Sequence, residues 1–298
     1  MAMNISYLHV PGGRIAFSQS GSGPLVVCSP AMGDVRQAYD PLARNLADAG
    51  FRVVAADLRG HGESDATFES YGDEPTAHDL IALIEYLDAG PAILIGASMS
   101  AASAVIVAGS RPDLVHALVL IGPFLRGPAG PLGRTLIPLA LRLLLLRPWG
   151  PRLWRRYSVS LWPGLTEAPH RAAELTARLR GPGRWRAFQR TARTDHRVVE
   201  PWLERVACPS LIVMGCEDPD WKDPAAEAAW AAGALGGQAA RAEILMVPRA
   251  GHAPMLERPA AVSSSIISLA RGCSPQGRDA GWVASADREG VRSCRERD

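Results

Sequence analysis

Ser98 stands in a setting that could make a serine hydroxyl a nucleophile. The residues before it form a short apolar run that ends at a Gly-x-Ser turn beginning at Gly96, and a series of small residues follows. This pattern predicts a sharp corner between a strand and a helix, which exposes the serine and leaves the backbone N–H of Met99 free to stabilise an oxyanion. Because Gly-x-Ser alone is common, the prediction depends on a base and an acid elsewhere in the chain.

His252 is the candidate general base. A serine hydroxyl is a poor nucleophile unless an adjacent base takes its proton, and that base is usually a histidine held by a carboxylate. His252 follows a predicted apolar strand at residues 244–247, and Gly251 beside it permits an unusual backbone angle. Its position late in the chain fits the order serine, acid, histidine.

The orienting carboxylate is expected in the loop after a predicted strand at residues 210–214. That loop offers Glu217, Asp218 and Asp220. Asp218 is the preferred candidate, and the other two stay open because the sequence does not orient their side chains. Asp223 nearby is better explained as the N-cap of a helix that starts with a proline.

A second oxyanion donor is expected in the loop that follows a predicted strand at residues 25–28. The backbone N–H of Met32 is the best candidate there. Together with the N–H of Met99, it would form the pair of donors that acyl transfer requires.

The elements that must position these residues alternate between short apolar strands and helices. The predicted strands lie at residues 5–10, 15–18, 25–28, 51–55, 93–95, 115–121, 210–214 and 244–247. Continuous apolar strands separated by helices predict an α/β fold, with a mostly parallel sheet covered on both faces. The first two strands flank a Pro-Gly-Gly turn and add an antiparallel hairpin at one edge.

The alternation of strands and helices divides the chain into regions. Residues 1–123 and 207–272 form the predicted α/β core, and residues 124–206 read as helices without strands, a pattern typical of a cap over an active site. Leu136, Leu139, Leu143 and Leu146 recur at helical spacing in this cap. They either line an apolar entrance or, as favoured here, pack onto the core. Residues 273–298 are predicted to be a disordered tail without chemistry.

Composition excludes several classes of function. The net charge of the 298 residues is only +2, which gives no reason to expect nucleic-acid binding, and the apolar stretch around Leu139 is too short to span a bilayer. The five cysteines show no metal-ligand spacing, and Cys28 reads as a small buried hydrophobe. A reduced, cytoplasmic setting is expected, with no metal.

Two further motifs support a family resemblance. The stretch Asp57-Leu-Arg-Gly-His-Gly-Glu-Ser64 is similar to the Asp-x-Arg-Gly-x-Gly-x-Ser loop of the α/β-hydrolase superfamily, and the residues around His252 resemble that family's catalytic-histidine loop. The resemblance extends to about residue 272 and implies an α/β-hydrolase sheet with a helical cap. Two departures stand out, since Pro30-Ala31 lie where the family usually has His-Gly, and Ser100 replaces the second glycine of the serine turn.

The resemblance implies a serine hydrolase acting on a small, largely apolar ester or thioester, with no cofactor. Ser98, Asp218 and His252 would be the catalytic residues, and Met32 and Met99 would form the oxyanion hole. A serine nucleophile argues against epoxide hydrolases, which carry an aspartate there. A perhydrolase or haloperoxidase-like enzyme, a carbon–carbon bond hydrolase, and a catalytically silent binding protein stay open as alternatives. The expected partner is a small acyl substrate; no nucleic-acid or membrane contact is expected, and a homo-oligomer stays open.

Overall fold

The computed structural model describes residues 4–127, 130–236 and 242–272. The predicted tail at residues 273–298 lies outside this part of the chain. Within it, eight strands form a single sheet. These strands are β1 (Ile5–Val10), β2 (Gly13–Ser20), β3 (Leu25–Ser29), β4 (Arg52–Ala56), β5 (Ala92–Ala97), β6 (Val115–Ile121), β7 (Ser210–Gly215) and β8 (Ala242–Val247).

The helices of the described residues occupy the intervals between the strands and follow the last of them. They are α1 (Asp40–Asp48), α2 (Asp73–Leu87), α3 (Met99–Ser110), α4 (Gly130–Leu144), α5 (Gly150–Ser160), α6 (Ala168–Leu179), α7 (Arg184–Thr191), α8 (Glu200–Leu203), α9 (Pro224–Ala234), α10 (Pro254–Glu257) and α11 (Pro259–Gly272). Asp223 caps α9 as predicted, because its carboxylate accepts the N–H of Ala226 at 2.9 Å. None of these helices is both long and apolar enough to cross a bilayer.

The strand order confirms the predicted α/β fold. The sheet runs β1-β2-β4-β3-β5-β6-β7-β8. The hairpin β1–β2 and the pair β2–β4 are antiparallel, and all other neighbours are parallel. Since parallel strands end at the same edge of a sheet, the loops after β3, β5, β7 and β8 meet at one edge. These are the loops that carry the candidate site residues.

Two apolar layers hold helices against the sheet. One lies between the sheet and α2, α3, α8 and α9, and the other between the opposite face and α1, α10 and α11. The helices α4 to α8 enter the chain between β6 and β7, and Leu145, Leu179, Trp185 and Phe188 form a small apolar cluster of their own there. This region contains no strand among its described residues.

The loop after β4 has a structural role. The buried carboxylate of Asp57 accepts the backbone N–H of Arg36 at 2.7 Å and contacts its guanidinium. The guanidinium of Arg59 binds Asp79 through two bonds of 2.6 and 2.7 Å. The Ser64 hydroxyl donates to the carbonyl of Asp57 at 3.1 Å. These contacts fasten the loop to its surroundings.

Two of the cysteines differ in their bonding. Cys28 is fully buried in β3, as expected. Cys216, however, is disulfide-bonded. The spacing of cysteines along a chain does not reveal which of them meet in space, and the reduced, cytoplasmic setting stays a prediction.

Candidate active site

Ser98 lies on the corner between β5 and α3. Its φ of 56° and ψ of −122° place it in a region that residues other than glycine rarely adopt. A Cβ atom at Gly96 would lie 2.3 Å from the carbonyl oxygen of Ser100, so only glycine allows strand and helix to approach this closely. The half-buried Ser98 side chain is thus held at the edge where the parallel strands end.

The imidazole of His252 binds the carboxylate of Asp218. The distance from Nδ1 to Oδ2 is 2.8 Å, and the Asp218 side chain is completely buried. Because β7 and β8 pair in parallel, from Ser210 opposite Ala242 to Gly215 opposite Val247, the loops after them are adjacent. An ionised carboxylate only accepts hydrogen bonds, so Nδ1 carries the proton and Nε2 is the basic nitrogen.

Asp220 makes a second contact with the same imidazole. Its Oδ2 lies 3.3 Å from His252 Nδ1, and its backbone N–H donates to Asp218 Oδ1 at 3.0 Å. The Tyr157 hydroxyl, from α5, donates to Asp220 Oδ1. The side chain of Glu217 is exposed. Of the three acids that the sequence left open, Asp218 therefore has the shortest and most buried contact with His252.

Opposing influences act on the proton affinity of His252. Burial lowers the pKa of the imidazole, but the charge and hydrogen bond of Asp218, together with the charges of Asp220 and Glu257, outweigh it and raise the pKa to about 9. These three acids thus stabilise the imidazolium, which is the form that a general base takes after accepting a proton.

The loop after β3 is tied to the serine corner by Ser100. The Ser100 hydroxyl donates to the carbonyl of Pro30 at 2.5 Å and accepts from Ser29 Oγ at 3.0 Å. Gly33 has a φ of 82°, and a Cβ there would lie 2.4 Å from the Trp154 ring. The residue that replaces the expected second glycine therefore positions the Met32 loop relative to Ser98, a role that its small size did not reveal.

Glu257 is a positioning residue that the sequence did not single out. Its buried carboxylate accepts the backbone N–H groups of Gly251 at 2.9 Å, Ala253 at 3.2 Å and Gly164 at 2.7 Å. Burial raises the pKa of this carboxyl group, although the three N–H groups act in the opposite direction. Glu257 holds the backbone on both sides of His252 and connects it to the segment between α5 and α6.

A cavity of about 1,080 Å³ joins these groups. Ser98, Met32, Met99 and His252 all line it, so the structure brings the predicted nucleophile, base and oxyanion residues to one space. The described side chains show no hydrogen bond from Ser98 Oγ to His252. Such bonds commonly tighten only when substrate binds.

The walls of this cavity come from the inserted helices and are mostly apolar. Ile137, Leu141 and Leu144 of α4 and Leu153 and Trp154 of α5 contribute to them. Such walls favour an apolar ligand.

Leu136, Leu139 and Leu143 of α4 behave differently from the prediction. They are absent from the cavity walls, and each is about half exposed, at 50%, 49% and 53%. The prediction that they pack onto the core is therefore wrong. Helical spacing identified the stripe but not the direction in which it faces.

One group of side chains has the geometry of potential metal ligands. Among the described residues, Asp218, Asp220 and His252 offer ligand atoms within 4.8 Å of one another. The direct hydrogen bond between His252 and Asp218 accounts for this proximity.

Comparison with known sequences finds a family match over most of the chain. The profile of the Alpha/beta hydrolase family matches residues 25–264. A 2-(acetamidomethylene)succinate hydrolase of Mesorhizobium japonicum is 38% identical over 111 residues, which are 37% of this chain and 40% of that protein. An epoxide hydrolase of Caballeronia sordidicola is 32% identical over 103 residues, which are 34% of this chain and 31% of that protein. Both matches span well under half of the relatives' lengths.

A solved structure extends the likeness to nearly the whole fold. A thermophilic esterase from Thermogutta terrifontis superposes with a TM-score of 0.72 and 26% sequence identity. The superposition covers 90% of this chain and 97% of the esterase. The sheet and its helices therefore share the esterase's arrangement, and the resemblance inferred from the motifs is confirmed.

Proposed function

Because the chain belongs to the alpha/beta hydrolase family, we propose that it is a serine hydrolase that cleaves a small, largely apolar ester or thioester through an acyl-enzyme. Ser98 is the nucleophile, His252 the general base and Asp218 the orienting acid. The observation that carries this proposal is the buried hydrogen bond of 2.8 Å between His252 and Asp218, beside the cavity that Ser98 lines.

The proposed reaction follows from the roles of these groups. Ser98 Oγ attacks the carbonyl carbon while His252 Nε2 accepts its proton, and Asp218 stabilises the resulting imidazolium. The N–H groups of Met32 and Met99 stabilise the oxyanion of the tetrahedral intermediate. His252 then protonates the leaving group, and a water molecule attacks the acyl-enzyme in the same manner.

The identity of the nucleophile and the cavity walls support an acyl substrate. The epoxide hydrolases of the family that these motifs resemble carry an aspartate at this corner, whereas this chain has Ser98. The apolar side chains of α4 and α5 would desolvate an acyl or alkyl group next to the carbonyl.

A fluorophosphonate probe tests the proposal directly. We expect the wild-type protein to be labelled and the Ser98→Ala variant to lose labelling completely, because only an activated serine reacts with such a probe. Ser103→Ala is the matched control, since Ser103 is buried on the same helix and its hydroxyl has no hydrogen-bond partner among the described residues. Absence of labelling in the wild type would instead favour the silent binding protein.

The pH dependence of the rate should report the protonation of His252. Only the neutral imidazole accepts the serine proton, and the pKa of about 9 keeps it protonated at lower pH. We expect kcat/KM for an activated ester to rise about tenfold per pH unit below that value and to level off above it. Asp220→Asn should shift this rise to lower pH, because the charge of Asp220 raises the pKa of His252. An unchanged profile in the variant would contradict the assignment.

A further inference from the structure

The exposed apolar surface of the described chain is concentrated on α4 and the segment that follows it. All of its large exposed hydrophobic side chains except Ile5, Tyr7 and Tyr86 lie between residues 132 and 157. Isolated exposed hydrophobic residues are ordinary, but a contiguous group of this kind marks a surface that is covered in use.

A single row of leucines forms the centre of this surface. Leu132, Leu136, Leu139 and Leu143 are spaced by four, three and four residues, which places them along one side of α4. We call these four residues the leucine stripe, and their exposed fractions range from 49% to 70%. The residues of α4 that wall the cavity, such as Ile137 and Leu141, lie on another side of the helix. Lining the cavity therefore does not explain the stripe.

The sequence around the leucine stripe is rich in positive charge. Residues 114–166 contain no aspartate or glutamate, but they contain seven arginines. The exposed arginines in and around α4 and α5 are Arg142, Arg147, Arg152, Arg155 and Arg156. No salt bridge to a described acid involves any of these five. The net charge of the whole chain is only +2, so this concentration of charge is local.

We propose that α4 and α5 dock on the surface of an anionic lipid bilayer. The leucine stripe enters the boundary between headgroups and acyl chains, and the arginines contact lipid phosphates. A helix with exposed leucines and flanking cations lies in the plane of the membrane. From the sequence, this segment is expected to be buried or to line a groove rather than to contact a membrane, although a membrane-surface role stays open.

Charge favours a bilayer over a second copy of this chain as the occupant. A two-fold symmetric dimer would place the same patch on both sides of the interface. Each copy would bring its own arginines to the interface, such as Arg142 beside Leu143, and residues 114–166 supply no acid to offset them. Anionic headgroups supply the missing negative charge.

Vesicle sedimentation tests the docking. We expect the full chain to sediment with vesicles of equimolar phosphatidylglycerol and phosphatidylcholine, much less with pure phosphatidylcholine, and less as salt rises. The triple variant Leu136→Ser/Leu139→Ser/Leu143→Ser should bind the anionic vesicles at least about tenfold more weakly. Ile5→Ser/Tyr86→Ser removes two exposed hydrophobic side chains elsewhere and should bind like the wild type.

The variants also separate docking from catalysis and from folding defects. Ser98→Ala should sediment with anionic vesicles as the wild type does, whether or not the proposed hydrolase activity is found. The triple variant should keep its melting temperature and its labelling by the probe. Should it unfold, Arg142→Gln/Arg147→Gln gives an independent test and should lower binding about tenfold.

Two results would overturn the docking proposal. One is a failure of the wild-type protein to bind anionic vesicles, or equal binding by the wild type, the leucine variant and the arginine variant. The other is a dimer in solution that dissociates in the triple variant while no vesicle binding is seen, which would assign the stripe to a second copy.

Discussion

Replacing Asp218 by asparagine should lower kcat/KM for an activated ester by about 10³- to 10⁴-fold. The substitution keeps the shape of the side chain but removes the charge that stabilises the imidazolium. An amide N–H facing His252 Nδ1 would also favour the tautomer with its proton on Nε2, which cannot accept the serine proton. Because the Asp218 side chain is fully buried, water does not replace the lost charge. Steady-state kinetics of the purified variant check this.

Asp220→Asn is the matched control for this prediction. Asp220 lies 3.3 Å from the same nitrogen, and its side chain is 12% exposed, so it supplies a weaker and partly screened charge. At high pH, where His252 is neutral in both proteins, we expect its loss to lower kcat/KM by less than about tenfold. A larger loss in Asp220→Asn than in Asp218→Asn would exchange the roles of the two acids. Circular dichroism should show both variants to be folded.

The fold was predictable because its buried strands carry an unambiguous signal. β6 has the predicted bounds, and β7 extends one residue past its predicted end. Both are predominantly apolar and buried, apart from the exposed His116 of β6, as expected of strands covered on both faces. The helices were predictable where a local cap marks the start, as Asp223 does for α9. These signals lie within a few residues of the elements that they specify.

The details of the candidate site depend on contacts between loops that are distant in sequence. The preference for Asp218 over Asp220 is decided by the directions of two side chains, which differ by half an ångström in their distance from His252. The hydrogen bond from Ser100 to Pro30 joins residues seventy positions apart. Neither propensity nor spacing contains this information.

The leucine stripe shows a different limit of sequence patterns. A row of apolar residues at helical spacing shows that one side of a helix is apolar and is stabilised by an apolar environment. It does not identify that environment, which can be the core of the same chain, a ligand or an external surface. For Leu136, Leu139 and Leu143 the usual outcome, burial in the core, does not occur.

Arg36→Met should lower the free energy of unfolding by about 3–5 kcal/mol, because it leaves a buried carboxylate without its counter-charge. The side chains of Arg36 and Asp57 are only 3% and 0% exposed. Burial raises the pKa of Asp57 to about 6 even though the charge of Arg36 opposes the shift. Without Arg36, the pKa of Asp57 should rise further. Denaturant titration near neutral pH, where the wild-type carboxyl is ionised, measures the effect.

The effect of Arg36→Met should also depend on pH in a defined direction. A raised pKa means that the native state holds its proton more tightly than the unfolded chain, so Asp57 lowers stability increasingly as pH rises from about 4 through about 6. In Arg36→Met, the loss of stability caused by ionisation of Asp57 becomes larger and extends to higher pH. The difference in stability between wild type and variant should therefore narrow in acid, where the buried carboxyl is protonated in both.

Arg111→Met is the control, since the guanidinium of Arg111 pairs with Glu85 and Asp113 at the surface. Solvent screens these pairs, so their loss should change the unfolding free energy far less than Arg36→Met does, with little dependence on pH. Equal effects of the two substitutions would contradict the assigned role of burial. An Arg36→Met variant as stable as the wild type would mean that methionine packs well beside a protonated Asp57, and that the ion pair does not stabilise this loop.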